Sequence, residues 1–245
     1  MGGTMVVILK LGGSVISNKK VPYSLNEDYL KRLGESLRNF LKENPLDLII
    51  IHGGGSYGHP KVKEILEGCK DLRSHGWEVV NTMFKMTARV VELMGEPFVA
   101  HSTPSLWVNG GIVVEPLVAA LDAGWIPIIQ GNLVPEGRVV SGDELAVELA
   151  RKLRADRILM ATDVPGIFKH WPPKEGEGPL KVVRACEVEA KGSEGIDVTG
   201  GMYKKLDELS RISKKVSVRV FDGTKIDNVI KALRGEEIGT LVLPC

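Results

Sequence analysis

Short apolar, β-branched runs alternate along this chain with longer stretches in which apolar residues recur every three or four positions. The run from Met5 to Leu11 is broken only by Lys10 and stops at Gly12-Gly13, which predicts a parallel strand buried on both faces. Leu30, Leu33, Leu37 and Leu41 share one helical face, so Leu25 to Leu41 reads as a helix, and Leu48 to Ile51 as the next strand, again ending in glycines. The pattern continues with a helix from Trp77 to Met94, a strand from Phe98 to His101, a helix from Glu115 to Ala123 and a strand from Ile126 to Gln130. Helices at Asp143–Leu153, Gly200–Ser213 and Ile226–Leu233 then alternate with strands at Arg157–Ala161, Val216–Phe221 and Leu241–Leu243. Alternation of this kind predicts an α/β fold, a largely parallel open sheet sandwiched between helices, with ligands at the carboxyl ends of the strands. The segment Trp171 to Gly178 (WPPKEGEG) is polar and rich in Pro and Gly and reads as an exposed loop.

Composition narrows the function. Hydrophobic residues are 43% of 245, enough for a substantial core in a single domain spanning 1–245. Lys plus Arg is 32 against 31 Asp plus Glu, a balance that argues against nucleic-acid binding, and 5% aromatics leave little for stacking on bases. Cys69, Cys186 and Cys245 are odd in number and widely spaced, which fits neither a disulfide framework nor a zinc site. There is no apolar run of about 18 residues to span a membrane, and MGGTMVVILKLGGS lacks the pattern of a secretory signal, so a cytoplasmic protein is expected.

Four segments carry candidate chemistry. Lys10-Leu11-Gly12-Gly13-Ser14 ends the first strand; glycines let backbone amides approach an anion and the lysine supplies countercharge, although the order is not that of a P-loop. His52-Gly53-Gly54-Gly55-Ser56-Tyr57-Gly58-His59 reads as a glycine-rich loop after the second strand, costly in chain entropy unless its backbone must approach a ligand. Ala161-Thr162-Asp163-Val164-Pro165-Gly166 forms a tight turn after a strand, and by itself decides nothing. Asp197 to Lys205 (DVTGGMYKK) opens a helix, where free N–H groups suit phosphate, and Lys205 lies one turn in. Asp143, at the start of another helix, is either an N-cap or the charge partner of two lysines.

KLGGS, HGGGS, ATDVPGI and DVTGGMYKK, in this order and over nearly the whole chain, resemble the amino acid kinase superfamily. Ser-Tyr-Gly-His-Pro from Ser56 to Pro60, Ser-Asn-Lys-Lys-Val-Pro-Tyr from Ser17 to Tyr23, and the overall length are most similar to the archaeal isopentenyl phosphate kinases. That resemblance implies ATP-dependent conversion of isopentenyl phosphate to its diphosphate with Mg2+, the late kinase step of an alternative mevalonate route, by a homodimer. It implies an acceptor-binding lobe over about 1–140 and a nucleotide-binding lobe over about 141–245. Lys10 and Lys205 would stabilise the transferring phosphoryl group, Asp143 would organise them, and Lys19 would reach the ATP phosphates. Gly12, Gly13, Ser14, Gly54 and Gly55 would line the phosphates; His59 would bind the acceptor phosphate with Gly142 nearby; Asp163 and Gly201 would belong to the nucleotide side. The family often has an acidic residue where this chain has Asn18, and Lys20 competes with Lys19 for its role.

The chemistry agrees with a phosphate acceptor. A phosphate monoester has a second pKa of about 6, so it is mostly a dianion at neutral pH and needs no general base. None of the four segments contains an obvious base with an orienting partner, and a protonated His59 would supply the extra positive charge a dianion requires. The acceptor's apolar tail needs a pocket, for which Met83, Phe84 and Met86 of the Trp77–Met94 helix are candidates. Two other readings stay open: a nucleoside monophosphate or phosphonate kinase of the same fold, and a non-catalytic nucleotide sensor.

Overall fold

A computed structural model describes residues 4–18, 20–68, 71–170, 172–184 and 216–243. Eight strands form one sheet in the order β10-β12-β11-β9-β1-β2-β6-β3. They are β1 (Val6–Leu11), β2 (Asp47–His52), β3 (Phe98–Ala100), β6 (Ile126–Gln130), β9 (Arg157–Thr162), β10 (Val182–Arg184), β11 (Ser217–Asp222) and β12 (Thr240–Leu243). All neighbouring pairs are parallel except β11 with β12, so the sheet is largely but not wholly parallel. Two hairpins stand apart from it: β4 (Trp107–Val108) with β5 (Gly111–Ile112), and β7 (Asn132–Leu133) with β8 (Val139–Val140).

The central strands are apolar on both faces because helices cover both. Val7, Leu9 and Leu11 of β1 face a core shared with α2 (Glu27–Glu43), α4 (Leu72–Met94) and the helix Ile226–Arg234. Ile8 faces the opposite core, shared with α6 (Glu115–Asp122) and α7 (Gly142–Leu153). Two short elements, α1 (Gly13–Ile16) and α5 (Thr103–Leu106), and the longer α3 (Gly55–Glu67) complete the described helices.

Local chemistry sets the helix ends. The Asn26 side chain accepts from the Tyr29 amide and starts α2 two residues later than the apolar period alone suggests. Ser141 accepts from the Glu144 amide at 3.1 Å and starts α7, with Asp143 and Glu144 at its positive end and Arg151 and Lys152 in its last turn. The segment read as a glycine loop from His52 to His59 is instead a strand end running directly into α3, which begins at Gly55 and carries Pro60 within it. The helix expected over Gly200–Ser213 lies outside the described residues.

Candidate active site

Strand parity decides which side chains meet at the carboxyl edge of the sheet. Lys10 shares the parity of Ile8 and so points to the α7 side, where its Nζ lies 2.9 Å from Asp143 Oδ1. Only 6% of the lysine side chain is exposed. His52 has the parity of Ile50 and turns the other way, beneath α4.

The two glycine segments pack back to back. A Cβ on Gly13 would fall 2.5 Å from the Gly55 amide nitrogen, and Gly55 itself has φ of +49°. Such approach needs glycine on both segments. Gly12 N–H donates to the Ala161 carbonyl at 2.8 Å and Gly53 N–H to the Leu11 carbonyl at 3.2 Å, so the turns after β1, β2 and β9 form one rim.

That rim encloses a cavity of about 530 Å³. Lys10, Gly12, Gly13, Ser14, Gly54, Gly55, His59, Gly142, Asp143 and Asp163 all line it, as does Met83. His59 sits one turn into α3, with Nδ1 3.3 Å from the Gly55 carbonyl. Since a carbonyl only accepts, Nδ1 carries the proton there, and Nε2 is left for a ligand. Residues that sequence reasoning did not pick out complete the wall: Val62 of α3, Val79 of α4, Leu133 of β7, Val139 and Val140 of β8. The charged lining therefore gathers over β1, β2 and β9, while the lining toward the β7–β8 hairpin is mostly apolar, with Asn132 and Ser141 the polar residues there. The sequence signal for that hairpin was Pro135 and Gly137 between two short apolar pairs.

Two expected pocket residues need correction, and three other expected residues lie outside the described residues. Phe84 is 43% exposed and lines no part of the cavity; it falls about 100° around α4 from Met83. Met86 is fully buried beneath Gly55, where it packs in the core rather than against the cavity. Lys19, Gly201 and Lys205 lie outside the described residues.

Directly behind the rim, fully buried His52 is held at both nitrogens. Nδ1–H donates to the Gly53 carbonyl at 3.0 Å, and Nε2 lies 2.9 Å from the Thr87 hydroxyl. Burial pulls its pKa down to about 4, against a smaller opposing effect of the Gly53 hydrogen bond. The unfolded chain therefore takes up this proton first as pH falls. His52 leaves stability untouched above its unfolded pKa of about 6.5 and costs progressively more down to about 4. Between pH 7.5 and 5 the expected loss is about 2 kcal/mol. Urea unfolding at the two pH values should show a smaller difference in His52→Gln; an equal difference would assign the loss to other groups.

The Amino acid kinase family model matches residues 5–222. Isopentenyl phosphate kinase of Methanocaldococcus jannaschii is 34% identical, with 96% of this chain and 98% of the relative covered. Isopentenyl phosphate kinase of Methanothermobacter thermautotrophicus is 30% identical, covering 95% and 97%. A crystal structure of an isopentenyl phosphate kinase superposes with a TM-score of 0.77 at 26% identity, covering 96% of this chain and 99% of that one.

Proposed function

The chain belongs to the amino acid kinase family, and from that premise we propose that it transfers the γ-phosphoryl group of ATP to the phosphate of isopentenyl phosphate. The observation that carries this reading is the cavity's division. Amide-rich turns, Lys10 and His59 suit two anionic groups, and the adjoining wall of Val62, Val79, Met83, Leu133, Val139 and Val140 suits a short hydrocarbon tail. A nucleoside monophosphate would need polar groups for its base; the one amide side chain on that wall, Asn132, is already bonded to the Val80 carbonyl and the Leu133 amide. Phosphoryl transfer asks the protein for positioning and charge stabilisation, which these groups supply.

The apolar wall comes from residues before 141, and Thr162 and Asp163 from after it, which supports an acceptor-binding lobe over about 1–140 and a nucleotide-binding lobe over about 141–245. Lys19, Lys205 and Gly201 keep the roles that the family resemblance gives them. Mg2+ is expected to arrive with ATP, held mainly by phosphate oxygens as this ion commonly is. Asp143 is engaged by Lys10, so Asp163 is the lining carboxylate that fits the ion. The metal supplies charge neutralisation on the phosphates. The product is an isoprenoid building block, and the cytoplasm suits a chain whose three cysteines form no evident framework.

The test is ADP release with Mg-ATP and, in turn, isopentenyl phosphate, dimethylallyl phosphate, UMP, acetylglutamate and carbamate. Fast turnover on isopentenyl phosphate supports the reading. Preference for UMP or an amino acid would replace it, and silence on every acceptor would favour a sensor.

Assembly as a homodimer is supported by the outer face of α4. Trp77, Phe84 and Val91 recur every seven residues, and this line continues to Trp125 beside edge strand β3. Trp77 is 62% and Trp125 52% exposed. A row of exposed apolar side chains of this kind suits an interaction surface. Light scattering should give twice the 26.7 kDa chain mass, and Phe84→Glu should shift the protein toward the single-chain value. A monomeric parent would remove the dimer.

A further inference from the structure

One residue joins the two glycine-bearing segments without lining the cavity. Ser56 is fully buried in the first turn of α3, three residues before His59. Its amide donates to Ser17 Oγ at 3.0 Å, and the Ser17 hydroxyl donates to the Gly13 carbonyl at 2.6 Å. Its own hydroxyl donates to the Ser24 carbonyl at 2.6 Å and accepts from the Ser24 amide at 3.1 Å. Its carbonyl accepts from the Tyr23 amide at 2.8 Å. Ser56 thus binds the chain on both flanks of the stretch that carries Asn18, Lys20 and Val21.

The helix has given up its own bonds to do this. A residue at position 60 would ordinarily donate its amide to the carbonyl of Ser56, but Pro60 has no N–H. That vacated carbonyl is the one Tyr23 occupies. The Ser56 amide, one of those left over at a helix start, is spent on Ser17 rather than offered to a ligand.

A second contact lies about two turns beyond Ser56 in α3. Tyr23 Oη–H donates to Glu64 Oε1 at 2.5 Å, and its ring meets Tyr57 edge-on with centroids 5.5 Å apart. Tyr23 has φ of +58°, a left-handed conformation unfavourable for a non-glycine residue and sustained by these contacts.

We propose that Ser56 is a positioning residue: it locks the lysine-bearing stretch after β1 to the helix that presents His59, so that donor and acceptor phosphates are held in one register. This rests on the reading of the cavity as a two-phosphate site. A displacement of about 1 Å between reacting groups can cost about a hundredfold in rate, so a tether without ligand contact has kinetic consequences. Ser56 acts through the lysines, and its loss should therefore cost little where they are already gone.

The experiment is a double-mutant cycle with a structural readout beside it. Ser56→Ala should lower kcat at least tenfold with a smaller change in either KM. The combined Lys19→Ala/Lys20→Ala change should be severe in the parent, and adding Ser56→Ala to it should cost less than threefold more. Tryptic cleavage after Lys20 should accelerate at least tenfold in Ser56→Ala at temperatures where circular dichroism shows it folded. Additive losses in the cycle, or unchanged cleavage in the folded variant, would overturn the proposal. If Ser56→Ala does not fold, Tyr23→Phe, which removes the bond to Glu64 at an exposed site, carries the same cycle with the same expected direction. Cleavage needs no substrate, and the cycle is run on whichever acceptor turns over, so an error in the acceptor's identity would show only in the choice of substrate.

Discussion

Replacing His59 with Ala or Gln is expected to lower turnover on isopentenyl phosphate by about a hundredfold or more while leaving ATP binding within about twofold. The Gly55 carbonyl takes Nδ1–H, so the imidazole meets an acceptor dianion with an N–H at Nε2 only when both nitrogens are protonated. The ring then contributes a charge-assisted hydrogen bond, about twice as strong as a neutral one. It also offsets repulsion between the acceptor and the ATP phosphates. Gln retains a donor but no charge, and should recover only a small part of the loss. Removing a single preorganised donor from an anionic transition state costs about 10²–10³ in kcat. Fluorescent-nucleotide titration separates binding from turnover. Near-normal turnover would take His59 out of the site; a variant that cannot bind ATP would move it to the nucleotide side.

The Lys10–Asp143 pair came from the family resemblance, the residues alone having left Asp143 open as an N-cap, yet its determinants are local. A lysine interrupting an apolar strand just before two glycines has its face fixed by parity, and an Asp one residue after a Ser-Gly helix start has its position fixed by the cap. The α3 boundary was not legible. Three consecutive glycines and Pro60 each argue against a helix, and the structure resolves the conflict with long-range bonds from Ser17, Tyr23 and Ser24 that no local rule contains.

Within α4 the period correctly marks a buried stripe. Yet Val79 and Met83 reach the cavity while Val90 and Met94 stay in the core. What separates them is the neighbour opposite, the β7–β8 hairpin at one end and α2 at the other. Phe84 shows the same limit from outside: its seven-residue spacing from Trp77 and Val91 was visible, but its exposure required the packed sheet. The hairpin wall escaped notice because strands of two residues are too short for an alternation to declare itself.

Lys10→Met is expected to abolish measurable turnover, with a fall in kcat of about a thousandfold and little change in the KM for ATP. Its Nζ is held at the cavity wall by Asp143 and is nearly closed to water, so its charge acts in a setting of low dielectric where stabilisation of developing phosphoryl charge is largest. An interaction made only in the transition state lowers kcat and kcat/KM together. The same substitution also deprives Asp143 of this cation. Removing one partner of a buried pair costs up to about 3–5 kcal/mol, and the value here should be lower because Asp143 keeps 17% exposure. Stability and catalysis are thus lost in one step, and a dead enzyme alone would prove nothing about mechanism. The double variant Lys10→Met/Asp143→Asn separates them. With the carboxylate neutralised, the urea midpoint should recover part of the loss, because Asp143 no longer carries the charge that Lys10 balanced. Turnover should stay at the Lys10→Met level, since nothing has replaced the cation at the transferring group. Recovery of turnover together with stability would show that Lys10 serves the fold and that the catalytic charge comes from elsewhere.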